Sequence, residues 1–87
     1  MSFHSRATPK FWDLLDQLPA EIQERAAKQY ALFAEDPFHP SLHLIPVGKF
    51  WSVRVTDNYR ALALRKGDDF VWVWIGPHDG YEIKITT

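Results

Sequence analysis

With 87 residues and no cysteine, the chain is sized for one domain spanning 1–87, near the lower limit for a single core, and disulfides and thiolate metal sites are excluded. A hydrophobic content of 46% and an aromatic content of 15% suit a compact globule, and no apolar run approaches membrane-spanning length, so the expected setting is soluble and cytoplasmic. The net charge is −1, divided as −2 over residues 1–38 and +1 over 39–87, which excludes a broad basic surface; nucleic acid would have to be held by local cations such as Lys49, Arg54, Arg60, Arg65, Lys66 and Lys84.

The N-terminal half reads as helical. Thr8 is a capping residue, Pro9 suits the first helical position, and Phe11, Leu14, Leu15 and Leu18 recur on one stripe at 3.6-residue spacing. Pro19 ends that helix or begins the next, which runs from Ala20 to Ala34 with Ile22, Ala26, Tyr30 and Phe33 on its apolar stripe and Arg25 and Lys28 elsewhere around it. Asp36-Pro37 stops it, because a residue preceding proline is biased away from the helical region. Residues 37–49 contain three prolines, two histidines and a glycine, and form a connector with a short strand expected between Leu42 and Val47.

Strands follow. From Phe50 to Thr56, Trp51, Val53 and Val55 alternate with Ser52, Arg54 and Thr56. Asp57 and Asn58 supply turn chemistry into a second strand, Tyr59 to Leu64, and the polar run Arg65 to Asp69 is of hairpin length. Phe70 to Ile75 is apolar throughout, as in a strand covered on both faces. Gly76-Pro77 breaks it, leaving His78 to Tyr81 in a loop and Tyr81 to Ile85 as a possible terminal strand. The four tryptophans read mostly as core, with one of Trp72 and Trp74 turned outward if one face of that strand is open.

The meander delivers two arginines, a histidine and a tyrosine to what can be one surface. The helix pair, connector and meander, with Phe50-Trp51-Ser52-x-Arg54-Val55-Thr56, Tyr59-Arg60, Ile75-Gly76-x-His78 and Tyr81, resemble the RelE/ParE superfamily of toxins from type II toxin–antitoxin pairs, including its RelE/YoeB-like members. The connector, Asp36-Pro37-x-His39-Pro40-x-Leu42 followed by Gly48, is similar to that of the same family. The resemblance covers nearly the whole chain. It implies an α+β fold, two N-terminal helices packed on an antiparallel sheet of about four strands, the first of them within Ser2 to Ala7.

It also implies a function. Many members cleave messenger RNA in the ribosomal decoding site, while the ParE branch poisons DNA gyrase. RNA cleavage needs a base for the 2′-hydroxyl proton, cations for the phosphorane and an acid for the 5′-oxygen. Arg54 and Arg60 match the family's phosphate-contacting arginines, His78 its general acid, and Tyr81 an aromatic that stacks on a base or orients the phosphate. Lys49, Arg65 and Lys66 are candidate RNA contacts. The glutamate that some relatives use as base is missing from Pro40 to Leu44, so His43 or His39 would substitute, and the lysine-rich strand of the RelE type is also missing.

Each residue has a simpler role beside the catalytic one. The arginines can pair with Asp57, Asp68 or Asp69, His78 can be a surface histidine with Asp79 near it, Tyr81 can be core, His39 a connector residue and His43 a structural group on a half-buried strand. No pair of histidines has the spacing of a metal site, so neither metal nor cofactor is expected. The partners implied are a cognate antitoxin, whose disordered segment folds along the groove between helices and sheet, together with mRNA and the ribosome. DNA enters only through a toxin–antitoxin complex on its operator. The alternatives are a gyrase inhibitor, or a relic that retains only antitoxin binding.

Overall fold

Thr8 and Pro9 start the first helix as their chemistry dictates. The Thr8 hydroxyl accepts from the Phe11 backbone N–H at 3.2 Å, and Pro9 has no N–H to leave unsatisfied. In the computed structural model, which describes residues 4–86, β1 (His4–Ala7) precedes α1 (Pro9–Asp16) and α2 (Ala20–Glu35). A 3-10 turn, Pro40–Leu42, leads to β2 (Ile45–Val47), β3 (Phe50–Thr56), β4 (Tyr59–Lys66), β5 (Asp69–Pro77) and α3 (His78–Ile85).

The α+β class and the two N-terminal helices on the sheet are as expected, and three details differ. The sheet has five strands in the order β1-β5-β4-β3-β2, and it is mixed because β1 runs parallel to β5. A parallel pair needs a long crossover, which the two helices begin. β1 lies within the range expected for a first strand; Ser2 and Phe3 are outside the described residues. In the connector, the strand shrinks to Ile45–Val47 because His39 accepts from the Ser41 N–H and caps the 3-10 turn, and His43 then takes a left-handed φ of 48°.

The third difference is at the C-terminus, where residues 78–85 form a helix rather than a loop and strand. The His78 N–H donates to the Asn58 carbonyl at 2.7 Å, which sets the entry angle. Helical spacing then lays Tyr81 and Ile85 against Phe50, Leu62, Val73 and Trp74. α3 spans this face, since an added Cβ on Gly48, in the β2–β3 turn, would lie 3.6 Å from the Ile85 carbonyl.

The sheet therefore separates two cores. On one face, α1 and α2 cover Val53, Val55, Ala61, Ala63, Phe70, Trp72 and Ile75, with Phe33 edge-on to Phe70 and Trp72 at 5.1 and 5.2 Å. The buried Trp72 indole N–H is satisfied by Ser5 Oγ at 2.8 Å, which ties β1 to β5. On the other face α3 covers the smaller cluster. A bulge assigns the two tryptophans: Leu62 pairs with Trp74 but Ala63 with Trp72, so Val73 is an extra residue and the alternation slips by one. Trp72 falls in the first core and Trp74 packs against the second, so with both faces of β5 covered neither tryptophan is turned outward.

Candidate functional site

At the end of the sheet marked by the Asp57-Asn58 turn, Arg54 on β3 pairs with Arg60 on β4, and Arg60 pairs with Gly76 on β5. Like charges directly across an antiparallel pair repel. Here each guanidinium is drawn off by a different partner. Arg54 Nη2 meets Asp57 Oδ1 at 2.7 Å, while Arg60 Nη1 is shared among the carbonyls of Thr56, Asp57 and Tyr59, the last two at 3.3 and 3.0 Å. Both arginines are thus held by one amino group. Among the described residues, the remaining donors of each fork have no partner, and an arginine fork matches phosphate oxygens.

His78 follows two residues after Gly76, as the first residue of α3. Its backbone is pinned to Asn58, in the same turn that holds Arg60, so the imidazole and the arginine row share one end of the molecule. Nδ1 lies 3.4 Å from Glu82 Oε1 one helical turn on, which directs Nε2 away as the atom available for proton transfer. The neighbouring carboxylate is Glu82, not Asp79, because i and i+4 share a helix face and i and i+1 do not.

Tyr81 is 9% exposed and belongs to the second core, where its ring centre is 5.4 Å from that of His78. It backs the imidazole and offers no open face comparable to that of His78. His43 is exposed and left-handed rather than half-buried on a strand. It precedes by two residues Ile45, the partner of Ser52, and so lies toward the Arg54 end of β3. His39 is committed to the 3-10 turn, with Nδ1 facing the Ser41 amide at 3.2 Å and its hydroxyl at 2.9 Å.

The other three predicted contacts lie elsewhere. Arg65 is five residues along β4 from Arg60, roughly 17 Å at the rise of an extended strand, and an odd separation places it on the opposite face. Its guanidinium stands 5.0 Å from the centres of Trp51 and Phe70, and its Nε donates to the Gly67 carbonyl at 2.8 Å. Lys66 is exposed beside it, and Lys49, with Nζ 5.3 Å over the Phe50 ring, occupies the β2–β3 turn at that same far end. Among the described residues, no three His, Asp or Glu groups converge as metal ligands.

Three contributors were not singled out from sequence: Glu82, Asn58 and Gln29. The His78 to Glu82 spacing of four would have shown the first, had 78–85 been read as a helix. Asn58 acts through its carbonyl, which no side chain signals. Gln29 Nε2 bridges the Arg54 carbonyl at 2.8 Å and the Ser41 carbonyl at 3.3 Å, fastening α2 and the connector to β3.

The family model of the ParE-like toxin domain matches residues 20–83, a span that takes in Arg54, Arg60, His78 and Glu82. The chain belongs to this family. Solved structures share the fold of this ParE-like toxin domain. A RelB–RelE antitoxin–toxin complex from Methanococcus jannaschii gives a TM-score of 0.73 at 13% identity, over 90% of this chain and 95% of that one. A YoeB/ParE toxin from Agrobacterium tumefaciens gives 0.67 at 18%, over 87% and 99%. A double mutant of E. coli RelE in the free state gives 0.69 at 13%, over 97% and 92%. No curated protein matches the sequence significantly. No helix among the described residues is long and apolar enough to cross a membrane.

Proposed function

We propose that this ParE-like toxin domain is the toxin of a toxin–antitoxin pair and an endoribonuclease that cuts mRNA in the ribosomal decoding site, inhibiting translation. The observation that carries the reading is the row Arg54, Arg60 and Gly76 with His78 at its end, in which both guanidinium forks keep donors without a partner among the described residues. The 2′-oxygen attacks the adjacent phosphorus and its proton passes to a base, for which His43 is the nearest candidate by strand register. Arg54 and Arg60 donate to the phosphorane oxygens as charge accumulates. The bond to the 5′-oxygen breaks, His78 Nε2 protonates that oxygen, and the products are a 2′,3′-cyclic phosphate and a 5′-hydroxyl. The half-exposed His78, held by Glu82 and backed by Tyr81, suits a group that must exchange protons with solvent.

An antitoxin partner is supported by the fold neighbours that are toxin–antitoxin complexes, from Methanococcus jannaschii, Pyrococcus horikoshii and Mycobacterium tuberculosis among them. In this reading the antitoxin covers the arginine end, and DNA is met only through the pair bound to its operator. Two observations favour a second reading, a gyrase-directed toxin: the matching family is ParE-like, and residues 40–44 carry no carboxylate base.

Induced expression in a bacterial host, with primer extension on an abundant messenger, separates the two. Wild type is expected to give new 5′ ends at codon boundaries, absent from Arg60→Ala/His78→Ala. Arrest with intact messenger and cleaved DNA would replace the ribonuclease reading with gyrase poisoning, and no arrest at any expression level would leave a protein that only binds its antitoxin.

A further inference from the structure

The arginine row is not where the unneutralised positive charge ends. Between α2 and the Arg54 end of β3 lies an open groove of about 590 Å³. One wall is the α2 stripe Arg25, Lys28, Leu32 and Glu35, at spacings of three, four and three that keep them on one helix face. The other wall is Ser41 and Arg54, and Gln29, bonded to both carbonyls, forms the floor that holds the walls together. Two cations, Arg25 and Lys28, face one carboxylate, Glu35, here, in a chain whose net charge is −1. Arg25 and Lys28 are exposed and, among the described residues, neither has an ion pair.

We infer that this groove is a second phosphate-binding subsite, in which Arg25 and Lys28 hold the RNA strand flanking the phosphate that is cut. The inference rests on the ribonuclease reading. Arg54 connects the two places: its side chain belongs to the row, and its carbonyl, in the groove wall, is bonded to Gln29 one residue on from Lys28, so in this proposal a strand leaving the row on that side continues along Arg25 and Lys28. Helical neighbours three apart have Cβ atoms about 5–6 Å apart, comparable to the step between successive phosphates of an extended strand. Lysine and arginine on a helix surface read charge and not base, so the subsite adds affinity uniformly across sequences.

The test is a site-resolved NMR titration of the full chain with uncleavable 2′-O-methyl RNA, a trinucleotide beside an octanucleotide, at several salt concentrations. The octanucleotide is expected to shift the amides of residues 25 and 28 as well as 54, 60, 76 and 78, and the trinucleotide only the latter four. Arg25→Ala/Lys28→Ala should weaken the octanucleotide about tenfold, lower the slope of log affinity against log salt by roughly 1.4, at about 0.7 per phosphate contact in single strands, and leave the trinucleotide unchanged. Shifts at 54, 60, 76 and 78 without any at 25 and 28 would overturn the subsite and leave the ribonuclease reading in place. No shift at either place would overturn both, and shifts at 25 and 28 from a polyglutamate peptide but not from RNA would make the groove a protein-binding surface instead.

Discussion

The two ends of the sheet carry similar residues to opposite purposes. At the Asp57-Asn58 end, Arg54 and Arg60 are each tethered by one amino group, and the rest of the fork has no partner among the described residues. At the other end, the Arg65 guanidinium is laid over Trp51 and Phe70, where it closes the open margin of the helix-covered core. The lesson is that an arginine's worth to a site depends on what its fork is already doing. Chain topology decides that: an aromatic ring within reach turns a cation into packing, and a tight turn with only carbonyls and one exposed carboxylate leaves it available.

The largest expected effect breaks the comparison directly. Arg60→Ala/His78→Ala should lower RNA cleavage by at least about 10² to 10⁴, the usual worth of a positioned acid, with little change in urea midpoint. Arg65→Ala/Lys66→Ala should do the reverse, leaving cleavage within about threefold and lowering stability by about 1 kcal/mol through the lost ring contacts. Comparable loss of cleavage from both pairs would show that substrate spans the sheet, and would dissolve the distinction between its ends.

A second, smaller effect concerns how the Arg60 end of the sheet is kept in register. An added Cβ on Gly76 would meet Trp74 Cζ2 at 2.7 Å and Cη2 at 2.9 Å, so Gly76→Ala must displace the ring or β5. Overpacking of this kind costs about 1–3 kcal/mol, and because Gly76 is paired with Arg60 the arginine row moves with it. Trp74→Leu should remove the clash. A double-mutant cycle by urea denaturation is expected to show a favourable coupling of about 0.5–3 kcal/mol, whereas additive losses would mean that the ring is not what Gly76 accommodates.

That same contact explains where sequence reasoning stopped. β3 and β4 were legible because Trp51, Val53 and Val55 alternate with polar residues and Asp57-Asn58 is a turn in any context. The run Phe70 to Ile75 is apolar throughout, so it holds no periodicity from which the Val73 bulge could be read, and the sides taken by Trp72 and Trp74 follow from that bulge. Helix α3 was hidden for a related reason. Gly76, Pro77, Asp79 and Gly80 read as loop punctuation, and a mid-helix glycine costs about 1 kcal/mol. Gly80 is tolerated because a Cβ there would stand 3.1 Å from the same tryptophan, a contact between residues brought together only by the fold. Of the proposed site, Arg54, Arg60 and His78 were read from their match to the family's pattern and lie at one end of the sheet, whereas Lys49, Arg65 and Lys66 were grouped with them by charge alone and lie at the other. Charge in a sequence carries no sign of which end of a sheet it occupies.

The smallest effect tests the side of the site that charge reasoning missed. Glu82 touches His78 Nδ1 at 3.4 Å across one exposed helical turn, a pair worth only about 0.2–0.5 kcal/mol to the helix. In the proposed reaction its value would be orientation: with Nδ1 directed at the carboxylate, Nε2 is turned away from it. Glu82→Gln retains an acceptor oxygen and removes the charge, so cleavage should fall about three- to tenfold while the urea midpoint is unchanged. Glu82→Ala, which also frees the ring, should fall further but stay well short of His78→Ala. If Glu82→Ala matched His78→Ala, the carboxylate would itself have to contact the reacting atoms; if neither variant changed the rate, the Asn58 carbonyl and the Tyr81 ring would suffice to place His78, and the turn shared by Arg60 and His78 would be the whole of the positioning device.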